Sequence, residues 1–315
     1  MTTTILRTVD TWWVQKPSGA TPIATAATTT AELLADRDAV AVAEAEAEAD
    51  GDTVPVDSLQ LHSPVTRPCR VIAQMTNYAS HVTDSGMDPK TIPLTFFRKS
   101  SASITGPGGD IVRPGHVRFL DYEVEIGLVV GRDVPAGSTI TELPGVLAGL
   151  VVTNDISARD IQLPQTQFYE AKSYPSFTPV GPALVLLTAD EWKRFGELHL
   201  QLRVNGELRQ DMHVGGDMIY PPLQALQSLT RFQDLAAGDL ILTGTPAGTA
   251  LSAPPKPIEI IGSLLPPALK WKAFFKRQAA NPKYLAHGDA VEASVATDDR
   301  AIVLGTQHNI VKDHG

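Results

Sequence analysis

Phe119 to Arg132 reads FLDYEVEIGLVVGR, an apolar run broken by two acids placed two residues apart. Side chains alternate across a strand, so a strand here sends Glu123 and Glu125 to one face and Tyr122, Val124 and Ile126 to the other. On its own, E-x-E on a strand describes the wet face of an antiparallel sheet. The alternative is chemical: two carboxylates in one small space raise each other's pKa or take a cation between them. The rest of the chain has to decide between the two.

Composition narrows the classes first. A chain of 315 residues has room for a large core, and 43% hydrophobic with 19% charged residues is the balance of an ordinary globular protein. A net charge of -9 argues against nucleic acid or an anionic membrane as ligand, since those partners select clustered Lys and Arg. A small molecule or another protein fits better. Cys69 is the single cysteine, which rules out an intrachain disulfide and a multi-cysteine zinc site and suits a reducing compartment. The opening MTTTILRTVDTWW has no signal-peptide pattern, and no run approaches the roughly 18–20 apolar residues of a membrane span. The chain reads as cytoplasmic, with no membrane span.

Working outward, residues 1–64 are rich in Thr and Ala and read as a small accessory subdomain, set off from residues 65–315 by Pro64, Arg67 and Pro68. Within the first part, Thr30 to Asp50 reads as one helix that opens on a capping Thr and stops at Gly51. VIAQM, Val71 to Met75, reads as a buried strand. The loop after it, TNYASHVTD, sets His81 and Asp84 three apart. On a helix these share a face, and Asp84 then orients His81 as a general base; otherwise His81 is a surface histidine. SGMDPKTIPL, Ser85 to Leu94, has the turn formers of a mobile cover. FFRKSSASITGPGGD follows, with Lys99, Ser100 and Ser101 as donors for a bound anion.

Beyond the acid pair, LVVTNDISARDIQ places Asp155 at a strand mouth, and Ser157 with Asp160 spells a capping box for a short helix. Arg159 and Gln162 share a face of that helix and suit a carboxylate. Lys172 lies in a Pro-broken loop ahead of an apolar strand. LHLQLRVNGELRQ is a hairpin turning at Asn205-Gly206. DLILTGTPAG is a strand running into a loop whose N–H groups and Thr245 hydroxyl can line a pocket; neither a GK[ST] phosphate loop nor a G-x-G-x-x-G element is present. Leu264 to Ala280 is an amphipathic basic segment whose apolar face suits its own protein, a partner or a membrane surface. Two strands close the chain, with Asp298 and Asp299 at the turn between them.

Three acids at strand or strand-end positions, with no His or Cys in ligand spacing beside them, select a hard cation: Mg²⁺ or Mn²⁺, with Ca²⁺ also admissible. The order NYASH, FFRKSSASITGPGGDI, DYEVEIG, NDISARDIQ, KSYPSFTPVGP, VNGELRQ and LTGTPAG resembles the fumarylacetoacetate hydrolase family, including its acylpyruvase and 2-hydroxyhepta-2,4-diene-1,7-dioate isomerase-like members, from about Ser63 to the C-terminus. The resemblance implies an α+β, predominantly β fold, the family's mixed β-sandwich roll with a small N-terminal subdomain, and a homodimer. It implies metal ligands Glu123, Glu125 and Asp155, a base His81 supported by Asp84, and Lys172 facing a developing oxyanion. Arg159, Gln162, Lys99, Ser101 and Thr245 then contact a small keto acid.

Three features depart from the family pattern. Asp84 stands where Glu is usual; residues 250–286 make a longer connection than usual; and TDDRA, Thr297 to Ala301, replaces a glycine turn. The expected activity is metal-dependent hydrolysis of a carbon–carbon bond in a 1,3-diketo acid or acylpyruvate. The same centre also admits a decarboxylase or a keto–enol isomerase of a 2-keto diacid, and the scaffold admits a non-catalytic binding protein.

Overall fold

A computed structural model describes residues 2–48, 53–165, 167–252 and 266–314. Its architecture is predominantly β, as expected. One sheet of nine strands runs, edge to edge, Gly19–Pro22, Trp12–Lys16, Thr3–Arg7, Leu184–Leu186, Leu147–Asn154, Val124–Val130, Leu240–Leu242, Val71–Gln74 and Phe96–Lys99. All its pairings are antiparallel except that of Leu240–Leu242 with Val71–Gln74. A second sheet of five strands runs Glu207–His213, Leu198–Val204, Ala290–Thr297, Val303–Asp313 and Ile111–Arg113.

The burial patterns explain how the two sheets stack. Leu198–Val204 and Ala290–Thr297 alternate buried and less buried residues, so this sheet has one dry and one wet face. Leu200, Leu202, Ala293 and Val295 on the dry face join one core with Val124, Ile126 and Leu128 of the large sheet. Val124–Val130, by contrast, is buried at every position, because Val129 on its other face packs with Ile5, Val14, Leu33 and Val40. The wet-face reading of the acid pair therefore fails: Glu123 is 6% and Glu125 1% exposed.

The first 64 residues are continuous with this architecture. Thr3–Arg7 pairs with Leu184–Leu186, so the boundary expected at residue 64 is not a break in the sheet. The helix expected over Thr30–Asp50 is two helices, Thr30–Ala35 and Arg37–Glu48; its last two residues lie outside the described ones, as does the expected stop at Gly51. Its cap is Thr29, one residue earlier than expected, in a reciprocal capping box with Glu32. The hairpin turn forms as read, with Asn205 and Gly206 at φ 52° and 80°, the paired left-handed geometry of a type I′ turn.

The basic amphipathic segment forms the helix Pro267–Gln278, and its apolar side docks on the chain itself: Phe275 stacks on Phe119 with ring centroids 5.4 Å apart. Leu264 and Leu265 of that segment, and residues 253–265 of the long connection, lie outside the described residues. Among the described residues, no helix is long and apolar enough to cross a membrane.

Candidate active site

Strand ends, loops and helices meet at a cavity of about 440 Å³. Glu125 lies on Val124–Val130, and Glu123 just before it, in the break after the short strand Leu120–Asp121. Asp155 follows the paired strand Leu147–Asn154 and donates its backbone N–H to the Glu123 carbonyl at 2.8 Å. The register Thr153↔Glu125 and Asn154↔Val124 puts the third acid beside the first two. Carboxylate oxygens of Glu123, Glu125 and Asp155 all lie within 4.8 Å of one another, and all three residues are buried.

Such a cluster persists only with compensation. Lys172 Nζ donates to Glu123 at 2.8 Å and to Asp155 at 2.7 Å. Arg159 donates to Asp121 at 2.8 Å, to Glu123 at 2.5 Å and to the Gln162 side-chain carbonyl at 2.6 Å. Lys99 is bonded to Asp155 and, at 2.9 Å, to the Phe177 carbonyl. Burial alone would raise the Glu123 carboxyl, but Lys172 and Arg159 outweigh it and hold it at about 2. Burial would likewise lower the Lys172 ammonium, yet Asp155 and Glu123 raise it. For Lys99, which meets only one carboxylate, burial wins and the ammonium is lowered.

Glu125 is the exception. Its side chain accepts one hydrogen bond, 2.7 Å from Gly244 N–H, and burial together with Asp155 and Glu123 pushes its carboxyl well up. Gly244 can deliver that N–H because it sits at φ +84°, in a turn where a Cβ would come within 3.0 Å of Asn77 Cβ. Four buried acids, Asp121, Glu123, Glu125 and Asp155, thus face three cations, Lys99, Lys172 and Arg159. An all-oxygen set with one carboxylate that has no cationic partner among the described residues fits a divalent hard cation.

His81 reaches the same cavity from the helix Ala79–Asp84. Asp217 fixes that helix by accepting from the Ser80 N–H at 2.7 Å and the Ser80 hydroxyl at 2.5 Å. Burial lowers the His81 imidazole below its usual pKa, so the ring is neutral at physiological pH. Its Nδ1 is buried without a hydrogen-bond partner among the described residues. Thr245 also lines the cavity; its hydroxyl donates to the Val124 carbonyl at 2.9 Å and accepts from Gln210 at 2.8 Å.

Several expectations are corrected here. Asp84 is exposed and makes no hydrogen bond to His81, although the two lie on one helix as expected: His81 lines the cavity and Asp84 faces solvent. Ser101 sits in the turn Ser101–Ser103 and does not line the cavity. Lys99 is buried under Asp155, where it balances charge instead of meeting a ligand from the cavity. Arg159 and Gln162 do line the cavity, but bonded to each other and to the acids. The expected Ser157–Asp160 capping box is not formed: the cap of Arg159–Gln162 is Ala158, and Asp160 accepts from Arg118 N–H at 3.0 Å.

Sequence reading passed over Asp121, although it continues the same two-residue alternation as Glu123 and Glu125. It also missed Asp217 and Gln210, which act through contacts more than 80 residues away. Gln74, buried with both amide atoms unpaired and lining the cavity, carries no local sequence signal. Trp271 and Phe274, from the long connection, form another part of the cavity wall.

The fumarylacetoacetate (FAA) hydrolase C-terminal family model matches residues 70–312. The chain belongs to the fumarylacetoacetate hydrolase family. A mitochondrial oxaloacetate tautomerase of Rattus norvegicus is 34% identical over 205 residues, 64% of this chain and 63% of that protein. The match thus spans less than two thirds of that relative's own length. An oxaloacetate tautomerase of Bacillus subtilis is 34% identical over 209 residues, 64% of this chain and 67% of that protein. Among solved structures, a probable 2-hydroxyhepta-2,4-diene-1,7-dioate isomerase from Mycobacterium abscessus aligns over 100% of both chains with a TM-score of 0.71 and 29% identity.

Proposed function

We propose that this protein is an isomerase that interconverts the keto and enol forms of a small 2-oxo diacid of the oxaloacetate type. The observation that carries the choice over hydrolysis is the separation of Asp84 from His81. Hydrolysis needs a water made nucleophilic by an oriented base, whereas tautomerisation only moves one proton between carbon and oxygen. Relatives named as oxaloacetate tautomerases, and a structural neighbour named as an isomerase, support the same choice.

Glu123, Glu125 and Asp155 would hold a divalent cation, Mg²⁺ or Mn²⁺, which when bound supplies Lewis acidity and a template for the substrate's oxygens. The chain's own groups do the remainder. Neutral His81 exchanges a proton with the substrate carbon next to the carbonyl. Lys172 spends two of its hydrogens on Glu123 and Asp155 and turns the third toward the negative charge that develops on the carbonyl oxygen. Arg159 holds Glu123 and Gln162 in place, and the Thr245 loop closes one wall. No atom enters or leaves: one C–H bond and one O–H bond exchange places.

Incubation of the Mg²⁺-loaded protein with the enol form of oxaloacetate, followed by ultraviolet absorbance and mass spectrometry, tests this reading. Faster decay of the enol with the mass unchanged supports it. Release of CO₂, or cleavage of a 2,4-diketo acid panel into two fragments without enol turnover, replaces it by the decarboxylase or hydrolase reading. If Glu125→Gln leaves every turnover unchanged, a catalytic role for the carboxylate centre is lost.

A further inference from the structure

The TDDRA turn, Thr297 to Ala301, has a structural consequence far from the cavity. Asp299 folds back to close the turn, accepting from the Thr297 hydroxyl at 2.7 Å and from Ala301 N–H at 3.0 Å. That leaves Asp298 free to extend over the outer face of the five-stranded sheet. His199 and His213 are directly paired across the strands there, their rings stacked with centroids 4.0 Å apart. One oxygen of Asp298 lies 3.0 Å from His199 Nδ1 and the other 3.0 Å from His213 Nε2. The second nitrogen of His199 lies 2.5 Å from Asp211, which Gln201 Nε2 holds at 2.9 Å.

We propose that His199, His213 and Asp298 form a second metal site, taking a borderline transition metal of the Zn²⁺ class. Potential ligand atoms of the three lie within 4.8 Å of one another. At Zn–N and Zn–O lengths of about 2.0–2.1 Å, tetrahedral ligands stand about 3.3 Å apart; the two 3.0 Å spacings run to different oxygens of Asp298, and the rings, stacked at 23°, swing about their side-chain torsions for both nitrogens to face one ion. The set of two imidazoles and one carboxylate is the opposite of the all-oxygen centre: it favours Zn²⁺ over Mg²⁺. Asp211 strengthens the assignment. A metal-bound imidazole typically donates its other N–H to a carboxylate that fixes its orientation, and His199 Nε2 stands 2.5 Å from Asp211, in position for that bond. Ligation needs a bare ring nitrogen, so any hydrogen on His199 Nδ1 or His213 Nε2 leaves for solvent or moves to the other nitrogen of its ring as the ion binds. The Asp298 side chain is 71% exposed, and the cluster borders a groove of about 240 Å³, so the metal has an open path in and a water can complete its shell.

Zn²⁺ titrated calorimetrically into the full chain in excess Mg²⁺ tests the site. The expected result is one tight equivalent, retained in Glu125→Gln. Asp211→Asn weakens it about 10–100-fold, the usual effect of losing an orienting partner, and His213→Ala or Asp298→Asn weakens it further. Co²⁺ in place of Zn²⁺ gives a visible ligand-field band that His213→Ala removes, while far-ultraviolet circular dichroism of each variant matches the wild type. A wild-type chain that takes up no Zn²⁺, or a His213→Ala chain with unchanged affinity and unchanged Co²⁺ band, overturns the proposal.

Discussion

The two carboxylate-bearing clusters of this protein answer the same problem in opposite environments. At the cavity, four buried acids lie among two lysines and an arginine that are themselves buried; Asp121, Glu123 and Asp155 pair with those cations, while Glu125 accepts from the Gly244 N–H. On the outer sheet, two histidines and two aspartates meet in partial contact with water, where ion pairs are screened and individually weak. The first cluster is organised for chemistry on a bound oxygen ligand; the second has ligand types that suit a softer ion. Burial, more than residue count, separates them.

The largest effect that would break this contrast is on turnover. Glu125→Gln keeps the shape of the site but removes the cavity carboxylate that has no cationic partner among the described residues. Turnover should be lost, as should turnover of the wild type after chelation, with recovery on adding Mg²⁺ or Mn²⁺. The fold should survive, because Gln is nearly isosteric with Glu and its amide oxygen can still accept from the Gly244 N–H; retained melting temperature with no activity is the expected pairing. His81→Ala should follow, with kcat down about 10²–10⁴-fold, the usual range for a positioned acid–base group, and Mg²⁺ affinity measured by calorimetry little changed. Asp84→Ala, by contrast, should leave kcat near wild type.

On stability, Arg159→Ala removes the cation bonded to Asp121 and one of the two bonded to Glu123, and should destabilise the chain by about 3–5 kcal/mol in urea unfolding. His213→Ala, on the wet sheet, should move the unfolding midpoint little in the absence of metal. A similar loss at both places would end the distinction drawn here. The smallest expected effect is in pH dependence. Burial depresses the His81 pKa, so the base stays neutral as pH falls past the ordinary histidine value near 6.5. The acid limb of kcat/KM should therefore lie below that value, and Asp84→Asn should not shift it; a limb above 6.5 would contradict the burial argument.

How far the sequence foretold this depended on whether each signal was local. A strand's two-residue period and a strand end, written in consecutive residues, place Glu123, Glu125 and Asp155, but their reading as one ligand set comes from the family resemblance, and the same period also contains Asp121. The Asn205-Gly206 turn was readable for the same reason. Asp84 misled because helix spacing sets two residues near one another, not whether both side chains turn toward the cavity. Ser157 with Asp160 spelled a capping box, yet the Ser157 hydroxyl bonds the Asp155 carbonyl at 2.9 Å instead. Asp217, Gln210 and Gln74 belong to the site only through tertiary contact, so no window of sequence contains them. The His199–His213 pair required the hairpin register, and Asp298 required the fold of the final turn.

Deuterium exchange at the carbon beside the carbonyl tests the central claim most directly. Oxaloacetate is followed by proton NMR in D₂O with the Mg²⁺-loaded protein, with His81→Ala as control. Wild type should accelerate loss of the C3 proton signal while total oxaloacetate stays constant over the exchange period, and His81→Ala should abolish the acceleration. Exchange no faster than in buffer, or loss of oxaloacetate to smaller products in place of exchange, would contradict that claim.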